Sequence, residues 1–316
     1  MKKTIIAVSV LCAVLMGITG CSKSGEKKIK IGIIQLVEHP ALDKNYQGFV
    51  DGLAEAGFVD KKNIVIDYQN AQGEQANCVT IAEKFVNDRD DLIFAIATPA
   101  AQAVANLTQD IPILVSSVTD PESAKLVKSN DAPGGNVTGT SDLTPCAAQM
   151  KLLKQLVPSA KTVGMLYCSS EQNSYFQIAL AKKACDELGL SYIDATVSNS
   201  NEIQQVTQSL CGKVDVIYSP TDNMIAAGMA LVAQVANENG IPTIVGEEGM
   251  VNAGGLATYG INYYELGKQT AKMAVEILEG KNTPAKMPIQ YLASCDLKVN
   301  EETAKILGIK IPADLK

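Results

Sequence analysis

Thr162-Val163-Gly164-Met165-Leu166-Tyr167 is an almost wholly apolar run, and Ile31-Gly32-Ile33-Ile34 is its counterpart near the start of the chain. Short continuous apolar runs of this kind read as parallel strands buried on both faces. The segments after both runs obey one plan. Behind the first, the pattern predicts a helix over 46–53 closed by Gly57, a strand over 64–68, a helix over 75–87, a strand over 92–96, a helix over 100–106 and a strand over 113–116. Behind the second come a helix over 177–188 closed by Gly189, a strand over 191–195, a helix over 202–210, a strand over 214–218, a helix over 224–237 and a strand over 242–245. Short phrases repeat as well: Thr98-Pro99-Ala100-Ala101 and Thr221-Asp222-Asn223-Met224 each follow a third strand, and Ile111-Pro112 and Ile241-Pro242 each open a fourth. Strand and helix alternating twice over predict an α/β fold of two similar doubly wound parallel-sheet lobes.

Two Gly-rich stretches, 133–142 and 253–262, read as hinge crossings, and a third crossing is expected at 283–288. The expected division is 29–140 plus 263–283 for the first lobe and 141–257 plus 288–316 for the second, with crossings near 139–143, 257–263 and 283–288. On this plan the helix over 264–278 returns to the first lobe, while Ile289–Leu292 and a helix over 301–307 belong to the second.

Of the 316 residues 47% are hydrophobic and 19% charged, a composition that excludes a disordered chain. The net charge of −7, with no basic block beyond the extreme N-terminus, argues against a nucleic-acid partner. A single histidine leaves little room for His-based triads or metal sites, and no activated nucleophile is visible, so no enzyme and no cofactor are expected. Lys2 and Lys3 followed by an apolar stretch from Ile5 to Met16 read as a signal peptide over 1–20. The six cysteines at 78, 146, 168, 185, 211 and 295 are scattered without a C-x-x-C pair and read mostly as small buried hydrophobes.

Ile18-Thr19-Gly20-Cys21 resembles the bacterial lipobox, which implies cleavage before Cys21, a diacylglyceryl group on its sulfur and a short tether over 21–28. Over the whole chain a wider likeness rests on Ile-Gly-Ile-Ile-Gln-Leu-Val-Glu-His-Pro (31–40), Ala-Thr-Pro-Ala-Ala-Gln-Ala (97–103), Val-Thr-Asp-Pro (118–121), Pro-Gly-Gly-Asn-Val-Thr-Gly (133–139), Tyr-Ser-Pro-Thr-Asp-Asn (218–223), Gly-Glu-Glu-Gly-Met-Val (246–251) and Ala-Thr-Tyr-Gly-Ile-Asn-Tyr (257–263). In their order and spacing these stretches resemble the solute-binding lipoproteins of bacterial ABC importers, with the periplasmic-binding-protein type I fold, and within them the branch associated with tryptophan and other aromatic amino acids. The resemblance implies an extracytoplasmic, lipid-anchored monomer that captures a small solute between two lobes and delivers it to a permease with its ATPase subunits. Branched-chain amino acids, nucleobases and sugars stay open as ligands, as does a ligand-sensing receptor.

In open parallel sheets ligands bind outside the carboxyl ends of the strands. The candidate contacts are therefore Gln35 and His39, Thr98, Pro99 and Ala100, Ser117, Thr119 and Asp120, Ser141 and Asp142, Ser170 and Asn173, Asp222 and Asn223, Glu247, and Tyr259. Free backbone N–H groups at the helix start after Thr98 suit a carboxylate. An α-ammonium needs an acidic partner; Asp222 is favoured, with Asp142 and Glu247 as alternatives. Helix capping competes with ligand contact at Thr98, Ser170 and Thr221, and a turn role competes at Asp120. Aromatic stacking partners come from a short list: Tyr167, Tyr175, Tyr218 and Tyr259.

The lipobox reading has a direct outcome. Cys21→Ala moves the protein from the membrane to the soluble fraction on cell fractionation, because the tether has no apolar anchor of its own; a variant that stays membrane-bound and lipidated overturns it.

Overall fold

The computed structural model describes residues 28–315; the expected signal peptide, lipobox cysteine and tether up to residue 27 lie outside them. The first half builds β1 (Ile29–Gln35), α1 (Pro40–Glu55), β2 (Ile64–Asn70), α2 (Gln75–Asn87), β3 (Leu92–Ile96), α3 (Thr98–Ala105), β4 (Ile113–Ser116) and β5 (Val137–Ser141). The second builds α4 (Cys146–Leu156), β6 (Thr162–Cys168), α5 (Gln172–Leu188), β7 (Ser191–Val197), α6 (Ile203–Leu210), β8 (Val216–Ser219), α7 (Asn223–Ala227), α8 (Met229–Glu238), β9 (Thr243–Val245), α9 (Glu248–Asn252) and β10 (Ala257–Gly260). The chain ends through α10 (Tyr263–Leu278), β11 (Gln290–Tyr291), β12 (Asp296–Val299) and α11 (Glu301–Ile306).

Each lobe holds one six-stranded sheet, ordered β11-β5-β4-β3-β1-β2 in the first and β12-β10-β9-β8-β6-β7 in the second. Every ladder is parallel except β10 with β12. These are the two parallel-sheet lobes read from the repeated plan, in the arrangement that the family resemblance implies. The apolar runs do what their composition requires: all of Leu92–Ile96 is buried, and Phe49 of α1 stacks on Phe94 of β3 with ring centroids 3.9 Å apart. The second sheet carries apolar cores on both faces, one around Met150, Tyr167 and Tyr218 and one around Ile217, Met229 and Val245.

Three expectations need correction. Both Gly-rich stretches contain a strand, β5 and β10, rather than a bare crossing. In β5, Gly139 has φ +149°, and a β-carbon there would lie 1.9 Å from the Val115 carbonyl oxygen, so glycine is what lets this Thr-, Gly- and Ser-rich segment lie against β4. Its last residue, Ser141, pairs with Tyr291 in the first sheet, so the first lobe extends past 140. The second correction concerns the tail: Gln290–Tyr291 joins the first lobe and not the second. Thr138 Oγ1 donates to the Met287 carbonyl at 2.6 Å, Ile289 N–H donates to the Asn130 carbonyl at 2.8 Å, and Met287 is buried in the first core. The chain therefore crosses after Tyr291, between β11 and β12, and not at 283–288. Third, the single helix expected over 224–237 is two, broken at Gly228, where a β-carbon would lie 2.5 Å from Ile203 Cδ1.

Helix α10 returns to the first lobe and packs along α1. The two backbones touch: a β-carbon on Gly48 would lie 2.0 Å from the Tyr264 carbonyl oxygen, and one on Gly267 would lie 2.0 Å from that of Asn45. In a free helix Gly→Ala stabilises by about 1 kcal/mol. Here the sign reverses, because overpacking costs about 1–3 kcal/mol and the obstacle is backbone. Gly48→Ala is expected to lower the urea unfolding midpoint, corresponding to a loss of about 1–2 kcal/mol; a raised midpoint means the helices separate freely.

Candidate functional site

The carboxyl ends of the two sheets face each other, and side chains meet across the gap. His39, just before α1, places Nε2 3.5 Å from Asn223 Oδ1 at the start of α7. Thr119 Oγ1 lies 3.4 Å from Thr221 Oγ1, and Gln177 Nε2 donates to both, at 3.1 and 2.7 Å. The lobes are thus closed on one another. Burial without a charged partner pushes the His39 pKa down to about 4, so its ring is neutral at pH 7. A groove of about 760 Å³ opens between the lobes, lined by Val37, Pro99 and Gln102 on one side and Ser170, Asn223 and Met224 on the other.

Buried polar atoms in folded proteins are almost always hydrogen-bonded. Ten buried side-chain atoms among the described residues have no partner, and seven of them lie at strand carboxyl ends: Gln35 Oε1, His39 Nδ1, Thr98 Oγ1, Ser117 Oγ, Asp142 Oδ1, Asn173 Oδ1 and Ser219 Oγ. Donors and acceptors from both lobes are represented. Such a concentration is what a polar ligand enclosed between the lobes would satisfy. The backbone here is also strained, with Ala97 at φ 82° and Ser117 at φ 53° in the left-handed region that non-glycine residues avoid. Ala97 turns β3 directly into α3, whose first residues Thr98, Pro99 and Ala100 are buried and which has no side-chain cap, so its leading N–H groups remain available to an anion.

The acidic residues divide by what their oxygens already do. Asp222 is the N-cap of α7: Oδ1 accepts from Ile225 N–H at 2.8 Å, and Oδ2 accepts from Cys168 N–H at 2.6 Å and from the Ser174 hydroxyl at 2.7 Å. Glu247 likewise caps α9 through Gly249 and Met250 N–H groups. Burial pushes both carboxyls up to about 7, with Glu171 adding repulsion at Asp222. Glu171 itself accepts from Asn223 and Met224 N–H groups at 3.1 and 3.0 Å. Asp142 differs. Its Oδ2 accepts from the Tyr263 hydroxyl at 2.9 Å, Oδ1 has no partner, and burial raises its pKa to about 6. Of the three acids considered as ammonium partners, the favoured Asp222 is committed to capping, and Asp142 retains a free buried oxygen.

The remaining candidates fall into place by their partners. Asp120 holds a turn, accepting from Ser123 N–H at 2.6 Å and Asn130 Nδ2 at 2.9 Å, as the competing turn reading required. Ser141 donates to the Thr119 carbonyl at 2.6 Å and accepts from Leu143 N–H at 3.1 Å, bracing the first crossing. Ser170 is exposed and meets Cys168 Sγ at 3.0 Å. Tyr259 packs on the second core, and Tyr218 is buried there with its hydroxyl on Gln149. Tyr167 and Tyr175 pack edge-on against each other at 5.3 Å. Each of the six described cysteines is free. Sequence reasoning missed Gln177, Glu171 and Tyr263, which carry polar contacts of the cleft; Gln177 sits mid-helix, where only the structure reveals that its face turns toward Thr119 and Thr221.

A family model described as "ABC transporter substrate binding protein" matches residues 30–316. A curated relative, the "Tyrosine-binding protein" of Clostridioides difficile (strain R20291), is 44% identical over 324 residues, covering 97% of this chain and 94% of the relative. Among solved structures, an ABC domain from Streptococcus pneumonia in complex with L-Trp superposes with a TM-score of 0.88 at 40% identity, covering 91% of this chain and 97% of that one. The ligand-free, open structure of a substrate binding protein with adhesive properties from Clostridium difficile is 47% identical over 90% of this chain and 97% of that one, yet its TM-score is 0.69. The closed arrangement seen here thus matches the ligand complex better than the open form, although the open form is nearer in sequence. With its repeated lobes, its polar cleft and a family match along nearly all its length, the chain belongs to the ABC transporter substrate-binding protein family.

Proposed function

We propose that this substrate-binding protein captures an L-amino acid with an aromatic side chain between its lobes and, held outside the cytoplasm by a lipid on Cys21, hands it to an ABC permease. The observation that carries the ligand class is the buried, unpartnered oxygen of Asp142 after β5, among strand-end unpartnered atoms that are otherwise neutral. One buried acid with an open acceptor suits one ammonium group. The bare start of α3, with the Thr98 and Ser117 hydroxyls, suits the α-carboxylate. A tyrosine-binding relative and an L-Trp complex support the aromatic side chain. Burying about 150–250 Å² of ring at about 25 cal/mol/Å² contributes about 4–6 kcal/mol before ordering costs. Ligand favours closure only through contacts made to both lobes, which is why unpartnered atoms on each side of the cleft matter.

Calorimetry on the soluble domain is expected to show one site per chain for L-tyrosine or L-tryptophan; tight binding of a sugar or nucleoside with no heat from any amino acid overturns the reading. Asp142→Asn leaves the ammonium without its charge partner and is expected to weaken binding by about 2–5 kcal/mol.

The same pairing fixes a pH dependence. The ionised carboxyl is the form that holds an ammonium, and its pKa in the ligand-free protein is about 6. Affinity is therefore expected to hold steady above neutral pH and to fall as pH drops below 6, with this step absent in Asp142→Asn. A step of the same size in the variant assigns the titration elsewhere.

A further inference from the structure

We propose that Gln172 and Gln102 form a latch that holds the closed lobes together without touching the ligand, and so set the affinity and the release rate for every ligand alike. Gln172 is the first residue of α5 in the second lobe, and Gln102 lies on α3 in the first. Gln172 uses both ends of its amide on the opposite lobe. Its Nε2 donates to the Ser123 carbonyl at 2.6 Å, and its Oε1 accepts from Gln102 Nε2 at 2.9 Å. Gln102 Nε2 also donates to the Ala124 carbonyl at 3.1 Å, so its partners fix both amides in one orientation.

The acceptor side is built in advance. Asp120 accepts from Ser123 N–H, and Asn130 Nδ2 bonds Asp120 in turn. Backbone bonds from Ala124 N–H to the Asp120 carbonyl and from Leu126 N–H to the Pro121 carbonyl, at 3.0 and 2.9 Å, close the same turn. This gives Asp120 a structural purpose that ligand contact did not: the turn it holds presents the Ser123 carbonyl to Gln172 of the other lobe and the Ala124 carbonyl to Gln102 of its own.

Position makes the contact a latch. The chain crosses between lobes beside β5, β10, β11 and β12, at one side of each sheet. Strand β3, which feeds α3, lies two places in from β5, and β6, which feeds α5, lies three places in from β10. Opening about the crossings therefore separates α3 from α5 and breaks the latch. Gln172 is exposed, and Gln102, half-buried, lines the open groove; neither belongs to the buried unpartnered atoms that the ligand reading uses.

The latch rests on the reading that ligand is held between closed lobes, and the test separates the two. In wild-type protein, binding of L-tyrosine or L-tryptophan tests the ligand reading. Gln172→Ala is then expected to weaken both amino acids by the same factor, about three- to tenfold, equivalent to about 0.7–1.4 kcal/mol. The loss appears as faster dissociation with the association rate unchanged. Adding Gln102→Ala to this variant changes little further, since the pair acts as one unit. The ligand-free unfolding midpoint stays where it was, which excludes a merely misfolded variant.

Unchanged affinity for both amino acids overturns the latch, as does a loss confined to one of them, which makes Gln172 a ligand contact. If wild-type protein binds neither amino acid, the ligand reading fails, and the latch is read from small-angle scattering of ligand-free protein: Gln172→Ala should be the more expanded, and equal radii overturn it.

Discussion

Two helix backbones in contact govern the geometry of the cleft. Gly48 and Gly267 remove the side chains that would keep α1 and α10 apart, and both helices begin at the cleft. Just before α1 stands His39, which meets Asn223 of the other lobe; α10 begins with Tyr263, whose hydroxyl bonds Asp142 at the first crossing. A contact this close leaves no room for sliding, so the far wall of the cleft and its hinge are set relative to each other by one rigid pair. Phe49, stacked on Phe94, ties that pair to the sheet beneath. Substitutions far from any ligand can therefore displace the atoms that would meet it.

Within the cleft, partner accounting separates structural groups from available ones more sharply than residue type does. Asp222, Glu247 and Glu171 are buried acids at strand ends, and each is consumed by N–H groups of a short helix start. Asp142 is equally buried and half used. All are carboxylates in loops after strands, and chemistry alone ranks them alike. Their difference is the count of bonds already accepted, a quantity set by which helix begins next to each.

That distinction marks the limit of what the sequence discloses. The two-lobe plan is legible because buried parallel strands are written in apolar residues, as at 31–34, 92–96 and 162–167. Strands β5 and β10 are not, because Thr, Gly and Ser carry them and their place comes from the neighbouring strand's backbone. The brief strand at Gln290–Tyr291 goes to the wrong lobe on sequence alone because two residues hold no pattern, and the bonds from Thr138 and Asn130 that recruit it join positions more than a hundred residues apart. Six of the seven unpartnered atoms at strand ends belong to residues named from sequence, since the rule that ligands sit at strand carboxyl ends needs only the strands. Which acid stays free needs atoms.

The tail that supplies β11 and β12 ties the folding of the two lobes to each other. The first lobe starts at β1 but lacks α10 and its edge strand until residue 291 exists, and the second lacks its own edge until residue 299. Neither half can finish its sheet from its own contiguous stretch of chain. Contacts between such distant segments form slowly, since the intervening loop must close first. The two lobes therefore complete their sheets late and mature together rather than one after the other.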